Sequence, residues 1–217
     1  MNKEKKAMKI EQPKIFPSDL SVFQQIEIQS NDLLEMGMMQ DCVIENLEAN
    51  KVTFEKIIFK NVTFTETTLT GVEITDVIFE KCDLSNVDFR DAIIHRTKFE
   101  ECKMIGVNFT GVTLRNVLFD SCLGDYATFR FSNSKQVIIQ NSSLCKTDFS
   151  SSKLQKVEIY QSNIDQAQLS GTKLDGIDLS DCEFDGLGVT VEDLKGCIIS
   201  REQAFLFAKL FGLIVNE

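Results

Sequence analysis

The feature that most constrains this chain is an apolar column that recurs at every fifth residue. Stepping by five from Ile44 gives Ala49, Phe54, Phe59, Phe64, Leu69, Ile74, Phe79, Leu84 and Phe89. The column continues to Ile199, and only Gly124 and Ser134 in it are not apolar. Two places earlier in each five stands a small residue, as in Val72, Val77, Cys82, Val87, Ala92, Thr97 and Cys102. Two inward positions separated by one outward position make a short strand. The other two residues must turn a corner, and pairs such as Ser85-Asn86, Thr110-Gly111 and Ser180-Asp181 suit that task. A helix needs a period of 3.6 and fits a five-residue repeat badly.

The cysteines indicate how many fives close one coil. Cys42, Cys82, Cys102, Cys122 and Cys182 differ by multiples of twenty, so four fives per coil would stack them on one wall. Phe59, Phe79, Phe99 and Phe119 then form one column, and Phe89, Phe109, Phe129 and Phe149 another. From about residue 40 to 199 there is room for roughly eight coils, a rod about 38 Å long at ~4.8 Å per coil. Each buried Phe or Leu contributes about 1.5–3 kcal/mol. Coils satisfy their backbone groups on their neighbours, so the two ends need caps.

Cys82-Asp83-Leu84-Ser85-Asn86, followed by Val87-Asp88-Phe89-Arg90-Asp91, resembles the pentapeptide-repeat family: a small residue, Asp or Asn, Leu or Phe, then two polar residues. Val107-Asn108-Phe109-Thr110-Gly111 and Ile177-Asp178-Leu179-Ser180-Asp181 match as well. The resemblance implies an all-β solenoid, a right-handed quadrilateral β-helix over 40–199. The tail from Gly196, and the run Asp125-Tyr126-Ala127-Thr128-Phe129-Arg130-Phe131, look like the Qnr and Mfp quinolone-resistance members. Those relatives imitate duplex DNA, bind DNA gyrase and topoisomerase IV, and blunt fluoroquinolone action. The unbroken phase here leaves no room for a long loop between coils, so the chain resembles the loopless Gram-positive and mycobacterial type.

The tail has its own physical reading. Ser200 suits an N-cap, with Gln203 at the capping-box place, and Gly212 can end the helix. A short helix that is apolar nearly all round needs cover on two sides. One side caps the last coil. The other, with Phe205, Phe207, Ala208, Leu210, Phe211 and Leu213 as expected interface residues, is most simply covered by a second copy. The resemblance also favours a homodimer through this module, 200–217, and two rods would span roughly 80 Å.

Charge sorts by wall. The wall centred on Phe79, Phe99 and Phe119 carries Glu80, Glu100, Glu101, Asp120, Glu158, Asp178 and Asp181 against Lys60, Lys81 and Lys98. The next wall adds Asp83, Asp125 and Asp165. Together these acids form the expected topoisomerase-facing edge. A wall centred on Ile94 and Leu114, with Arg96, Arg115, Lys135, Lys153 and Lys156, is expected to lie opposite as a mildly basic back. The net charge is −10, less than half of the about 22 charges that duplex DNA carries over such a length, so any imitation of DNA is confined to one side. That charge also argues against nucleic acid as a direct partner.

No chemistry is expected. The cysteine column reads as structural, and the seven thiols as reduced. His95, the sole histidine, is expected at a solvated corner with no catalytic pair around it. Gly124-Asp125-Tyr126 is expected to mark a bulge or kink. No catalytic residue, cofactor or metal site is expected. No stretch is apolar enough to span a bilayer, and no apolar core follows the charged start as a secretory signal would require, so the expected location is the cytoplasm. Met1 to Lys14 is expected to be mobile, with Phe23, Ile26, Ile28, Leu33 and Leu34 in an N-terminal cap or irregular first coil before residue 40. The preferred expectation is a topoisomerase-binding protein that competes with DNA. The alternative is a passive scaffold, or an immunity factor for another toxin or complex.

Overall fold

The computed structural model describes residues 8–23 and 27–215. Seven strands of eight residues stack in parallel in chain order: β2 (Leu33–Gln40), β4 (Thr53–Lys60), β6 (Glu73–Glu80), β7 (Ile93–Glu100), β8 (Thr113–Asp120), β9 (Asn133–Gln140) and β10 (Lys153–Tyr160). A two-residue strand, β1 (Ser21–Val22), pairs with β2 at the outer edge. β3 (Val43–Glu45) and β5 (Thr63–Thr65) form a second small sheet. The register is one coil per twenty residues throughout: Ile74 lies opposite Ile94, Phe79 opposite Phe99, and Phe99 opposite Phe119. The protein is thus an all-β solenoid of about seven turns closed by one helix, α1 (Arg201–Leu210). Beyond Tyr160 the coil continues through single bridges, such as Asn163 with Glu183 and Asp178 with Ile198, without another eight-residue strand. The eight-residue strands mark seven turns, and the bridges carry the coil on to Ile198.

Each long strand is bent. Its fourth residue has positive φ: Lys56 (52°), Asp76 (56°), Arg96 (44°), Asn116 (54°), Gln136 (56°) and Lys156 (51°). The left-handed residue turns the chain, so one strand supplies two adjacent walls. We call the half before this residue the first wall and the half after it the second. The third and fourth walls are joined by four-residue turns with positive φ at the third place, as at Asn86 (60°) and Asp91 (57°). Those turns close with bonds from the Val87 amide to Leu84 O (3.2 Å) and from the Ala92 amide to Phe89 O (3.2 Å). The five-residue period is therefore a backbone period, with one left-handed residue per five.

The core is the predicted pair of columns. Phe79 and Phe99 stack at 4.8 Å with ring planes 1° apart, and Phe99 and Phe119 at 4.9 Å. Phe109–Phe129 and Phe129–Phe149 repeat this at 5.0 and 4.7 Å. Cys82, Cys102 and Cys122 are buried one above another. Their thiols donate to the carbonyls of Phe59, Phe79 and Phe99 at 3.3, 3.4 and 3.3 Å.

Three expectations are corrected. The wall centred on Ile94 and Leu114 is not opposite the Phe79–Phe99–Phe119 wall. Ile94 and Phe99 share β7, so the basic and acidic walls meet at the left-handed corner. Gly124 causes no kink. Its amide bonds Ser143 O at 2.7 Å, Leu123 pairs with Ser143 in register, and Leu144 fills the space, with Cδ2 3.0 Å from where a Cβ would stand. The coil also starts earlier than residue 40, because β2 is already in full register with β4. Leu34 is buried in this first coil, and Phe23 and Ile28 pack on the core. Ile26 lies outside the described residues.

The described part of the expected mobile start is laid along the rod as an arm. The Lys14 amide donates to Asp76 Oδ1 (2.9 Å), the Glu11 amide to Asn116 Oδ1 (3.2 Å) and the Met8 amide to Glu158 Oε2 (3.2 Å). These three residues are spaced by three, and their acceptors climb two coils at each step. Three extended residues cover about 10 Å, and two coils rise about 9.6 Å. An extended chain at right angles to the strands therefore meets every second coil.

Candidate interaction surfaces: the acidic ridge, the arm and the terminal helix

Glu80, Glu100 and Asp120 end three successive strands in register, so their carboxylates form a ladder at the corner between the second and third walls. Glu101 sits beside it with φ 52°. Like charges stacked at strand spacing repel, and the local partners reduce that repulsion. Lys60 reaches Glu80 at 2.9 Å, Lys98 reaches Glu100 at 3.3 Å, and Lys81 reaches Glu101 at 3.8 Å. Asp120 instead accepts from Gln140 (2.7 Å) and Asn141 (2.9 Å). Partial burial works against ionisation of Asp120, but these donors hold its carboxyl below the usual range. Above it the ladder becomes Gln140 and Tyr160, so the stacked acids span only part of the rod.

The other predicted acids are dispersed. Asp83 lies on the third wall, paired with Lys103 at 3.0 Å. Asp125 accepts from Ser143 Oγ (2.5 Å) and the Cys145 amide (3.0 Å). Asp165 receives the amides of Asp185 (2.9 Å) and Gly186 (3.1 Å), which lower its pKa. Asp178 accepts from Ser180, and Asp181 follows at the next corner. Glu158 is already engaged by the arm. The structure thus gathers four of the ten predicted acids into a continuous ridge and scatters the rest.

The terminal helix is built as its residues dictate. Ser200 Oγ accepts the Gln203 amide (3.2 Å), and the Ser200 amide donates to Gln203 Oε1 (2.9 Å). The Gln203 side-chain amide also reaches into the last coil, donating to Leu179 O (2.8 Å) and Cys182 O (2.9 Å). Phe207 packs against Phe184 with ring centres 5.7 Å apart. Phe207 is therefore spent on capping its own rod and, unlike the expectation, is no exposed interface residue. Ala208 is half-buried. Phe205, Leu210, Phe211 and Leu213 remain exposed, with Ile214 at 92%.

Along the arm, sequence reasoning missed the groove. Asp76 is 2% exposed, and Arg96 grips it through Nε (2.6 Å) and Nη2 (2.7 Å). Burial alone would raise the Asp76 pKa; the Arg96 fork and the Lys14 amide bring it below the ordinary value. Beside this pair, His95 faces Arg96 and Asn116 rather than open solvent. Partial burial, then Arg96 and Arg115, lower its pKa. The readable signal was an outward column, Ile58, Ile78, Leu118 and Ile138, that is apolar although it faces away from the core, with Lys98 the one charged member among them. Ile58 and Ile138 are nevertheless 9% and 7% exposed.

The chain is 38% identical over 188 residues to the uncharacterized protein YisX of Bacillus subtilis (strain 168), covering 87% of this chain and 89% of that one. Family profiles described as pentapeptide repeats (9 copies), pentapeptide repeat region and pentapeptide repeats (8 copies) match residues 40–103, 72–149 and 162–187. The chain belongs to the pentapeptide-repeat family. Among solved structures, this pentapeptide-repeat protein is similar to HetL, involved in heterocyst differentiation regulation in Nostoc sp. strain PCC 7120. That likeness has 16% identity and a TM-score of 0.40, over 80% of this chain and 91% of HetL. QnrB1, a plasmid-mediated fluoroquinolone resistance protein, matches at 19% identity and a TM-score of 0.36, over 86% of this chain and 91% of that one. Likenesses this distant say nothing about function.

Two further groups of the pentapeptide-repeat protein bear on chemistry. Burial pushes the Cys182 thiol up to about 12 and that of Cys197 to about 11, the behaviour of inert structural thiols. Among the described residues, no three or more His, Cys, Asp or Glu side chains are grouped to hold a metal ion. No described helix is long and apolar enough to cross a membrane.

Proposed function

We propose that this pentapeptide-repeat protein is a non-catalytic binding rod that presents its acidic ridge to a basic, DNA-binding protein surface. The partners we favour are the type II topoisomerases, DNA gyrase and topoisomerase IV, which the rod would shield from fluoroquinolones. The observation that carries this reading is the in-register ladder of Glu80, Glu100 and Asp120, with Glu101 beside it, on a stiff edge with ~4.8 Å between charges. Such a ridge offers regularly spaced negative charge to a surface evolved for phosphates. Because the ladder covers only part of the rod, the imitation of DNA is local. The exposed apolar patch of Phe205, Leu210, Phe211 and Leu213 would join two rods end to end, doubling the ridge.

A gyrase supercoiling assay with ciprofloxacin tests the reading. Micromolar protein should restore supercoiling at inhibitory drug concentrations, and the double variant Glu100→Lys/Glu101→Lys should lose that rescue while keeping its fold. Neither rescue nor inhibition by the unaltered protein would sink the topoisomerase assignment. A pull-down that recovers a different complex would then favour the scaffold or immunity-factor reading. Sedimentation of wild type against Leu210→Glu/Phe211→Glu checks the dimer: the variant should sediment as half the mass.

A further inference from the structure

The arm occupies a groove whose parts are specific. The corner acceptors Asp76 and Asn116, at 2% and 1% exposure, take backbone amides, and so does Glu158 at the far end. Flanking them is the outward apolar column that contains Ile58 and Ile138. Ile58 and Ile138 are buried there at 9% and 7% exposure. On the other flank, Glu11 adds negative potential at Arg96, so a carboxylate at the middle place favours that cation. The arm itself is lightly held. Its half-buried residues are Met8, Ile10, Pro13 and Ile15, while Lys9, Glu11, Gln12 and Lys14 are exposed. Recognition through main-chain amides and a few apolar contacts does not depend on the chain being the protein's own.

We propose that this corner is a binding site for an extended peptide segment of a partner protein, and that the N-terminal arm is its tethered competitor. The ligand is an extended segment with main-chain amides three residues apart, apolar side chains at the places of Ile10 and Ile15, and one carboxylate between them facing Arg96. A tether gives the arm an effective concentration on the order of millimolar, so a partner segment occupies the groove only when it binds more tightly than that or when the arm is loosened. Exposure of the outward isoleucines on arm release adds an apolar surface that a partner would cover. This inference is independent of any topoisomerase.

The test uses the full-length chain and a fluorescent synthetic peptide with the sequence of residues 8–16. Ile10→Asp/Ile15→Asp should free the arm, seen as fast hydrogen exchange at the amides of Glu11 and Lys14. It should also bind the labelled peptide saturably, about tenfold or more tighter than wild type does, because the tethered competitor is gone. Adding Asp76→Ala/Asn116→Ala on the rod should abolish that binding, and a peptide carrying Glu11→Lys should bind more weakly. Should the double variant misfold, Lys14→Pro removes one amide donor from an exposed place and serves instead. A released arm with no saturable peptide binding overturns the proposal. So does binding that is equally tight in wild type or indifferent to the rod substitutions.

Discussion

The repeat asks every fifth residue to be left-handed, and the chain meets that demand with residues of unequal suitability. Tyr126 (φ 61°) and Phe131 (φ 58°) are bulky side chains at corners where Asn or Gly is comfortable. Each carries about 1–2 kcal/mol of backbone strain, and the Arg130 guanidinium 5.3 Å over Phe131 returns only about 0.5 kcal/mol at an exposed place. Phe131→Asn should therefore raise stability by about 0.5–1 kcal/mol, read as a higher urea midpoint. Gly37 is the opposite case. A Cβ there would stand 2.0 Å from the Phe23 ring, so Gly37→Ala should cost about 1–3 kcal/mol and loosen β1 and β2 first in hydrogen exchange. Asp76 gives the arm a pH dependence of known sign. The Lys14 amide and the Lys14 charge both lower the Asp76 pKa when the arm is closed, so this contribution to closure is full above ~3.9 and is lost as pH falls through the lower value of the closed state. Exchange at the Lys14 amide, corrected for intrinsic rates, should rise as pH drops below about 3.9, and Asp76→Asn should flatten the step.

At the scale of elements, the cap helix joins the rod through a single side chain as much as through its apolar face. Gln203→Ala would leave the carbonyls of Leu179 and Cys182 without their buried donors, at a cost of about 1–3 kcal/mol. The loss should appear as faster exchange in residues 177–199, with β4 to β8 unaffected, because each coil leans only on its neighbours. The coil and its phase were legible because the apolar column, the small column and the corner residues all repeat together, and Ser200 with Gln203 announced the helix start. Two things were not. The relative placing of the walls failed because a period of five says nothing about which corners a single strand turns. The arm escaped notice because residues 8–16 show no period of their own. The corner they follow is marked only by a mostly apolar outward column, Ile58, Ile78, Lys98, Leu118 and Ile138. The acid ladder was half visible: Glu80, Glu100 and Asp120 differ by twenty, but the lysines and amides that temper them come from neighbouring columns.

Over the whole molecule, stability is distributed along one axis. Phe99 is fully buried and stacked on both sides at 4.8 and 4.9 Å, so Phe99→Ala should cost about 3–5 kcal/mol. The damage should centre on β6 to β8 and leave the cap helix protected, which site-resolved exchange would show. Identical rings one above another on parallel, in-register strands are also the arrangement found inside amyloid fibres. A body of this kind has no internal reason to stop. What sets its length is the pair of endings: a two-residue strand, β1, that masks the first coil's hydrogen-bonding edge, and a helix that cannot template another turn. A chain shortened to begin at Leu33 would keep its core and lose its lower stopper. With its other end still closed by the helix, it should pair edge to edge with a second copy, seen as a doubled mass in sedimentation, β1 having served as the molecule's guard against its own symmetry.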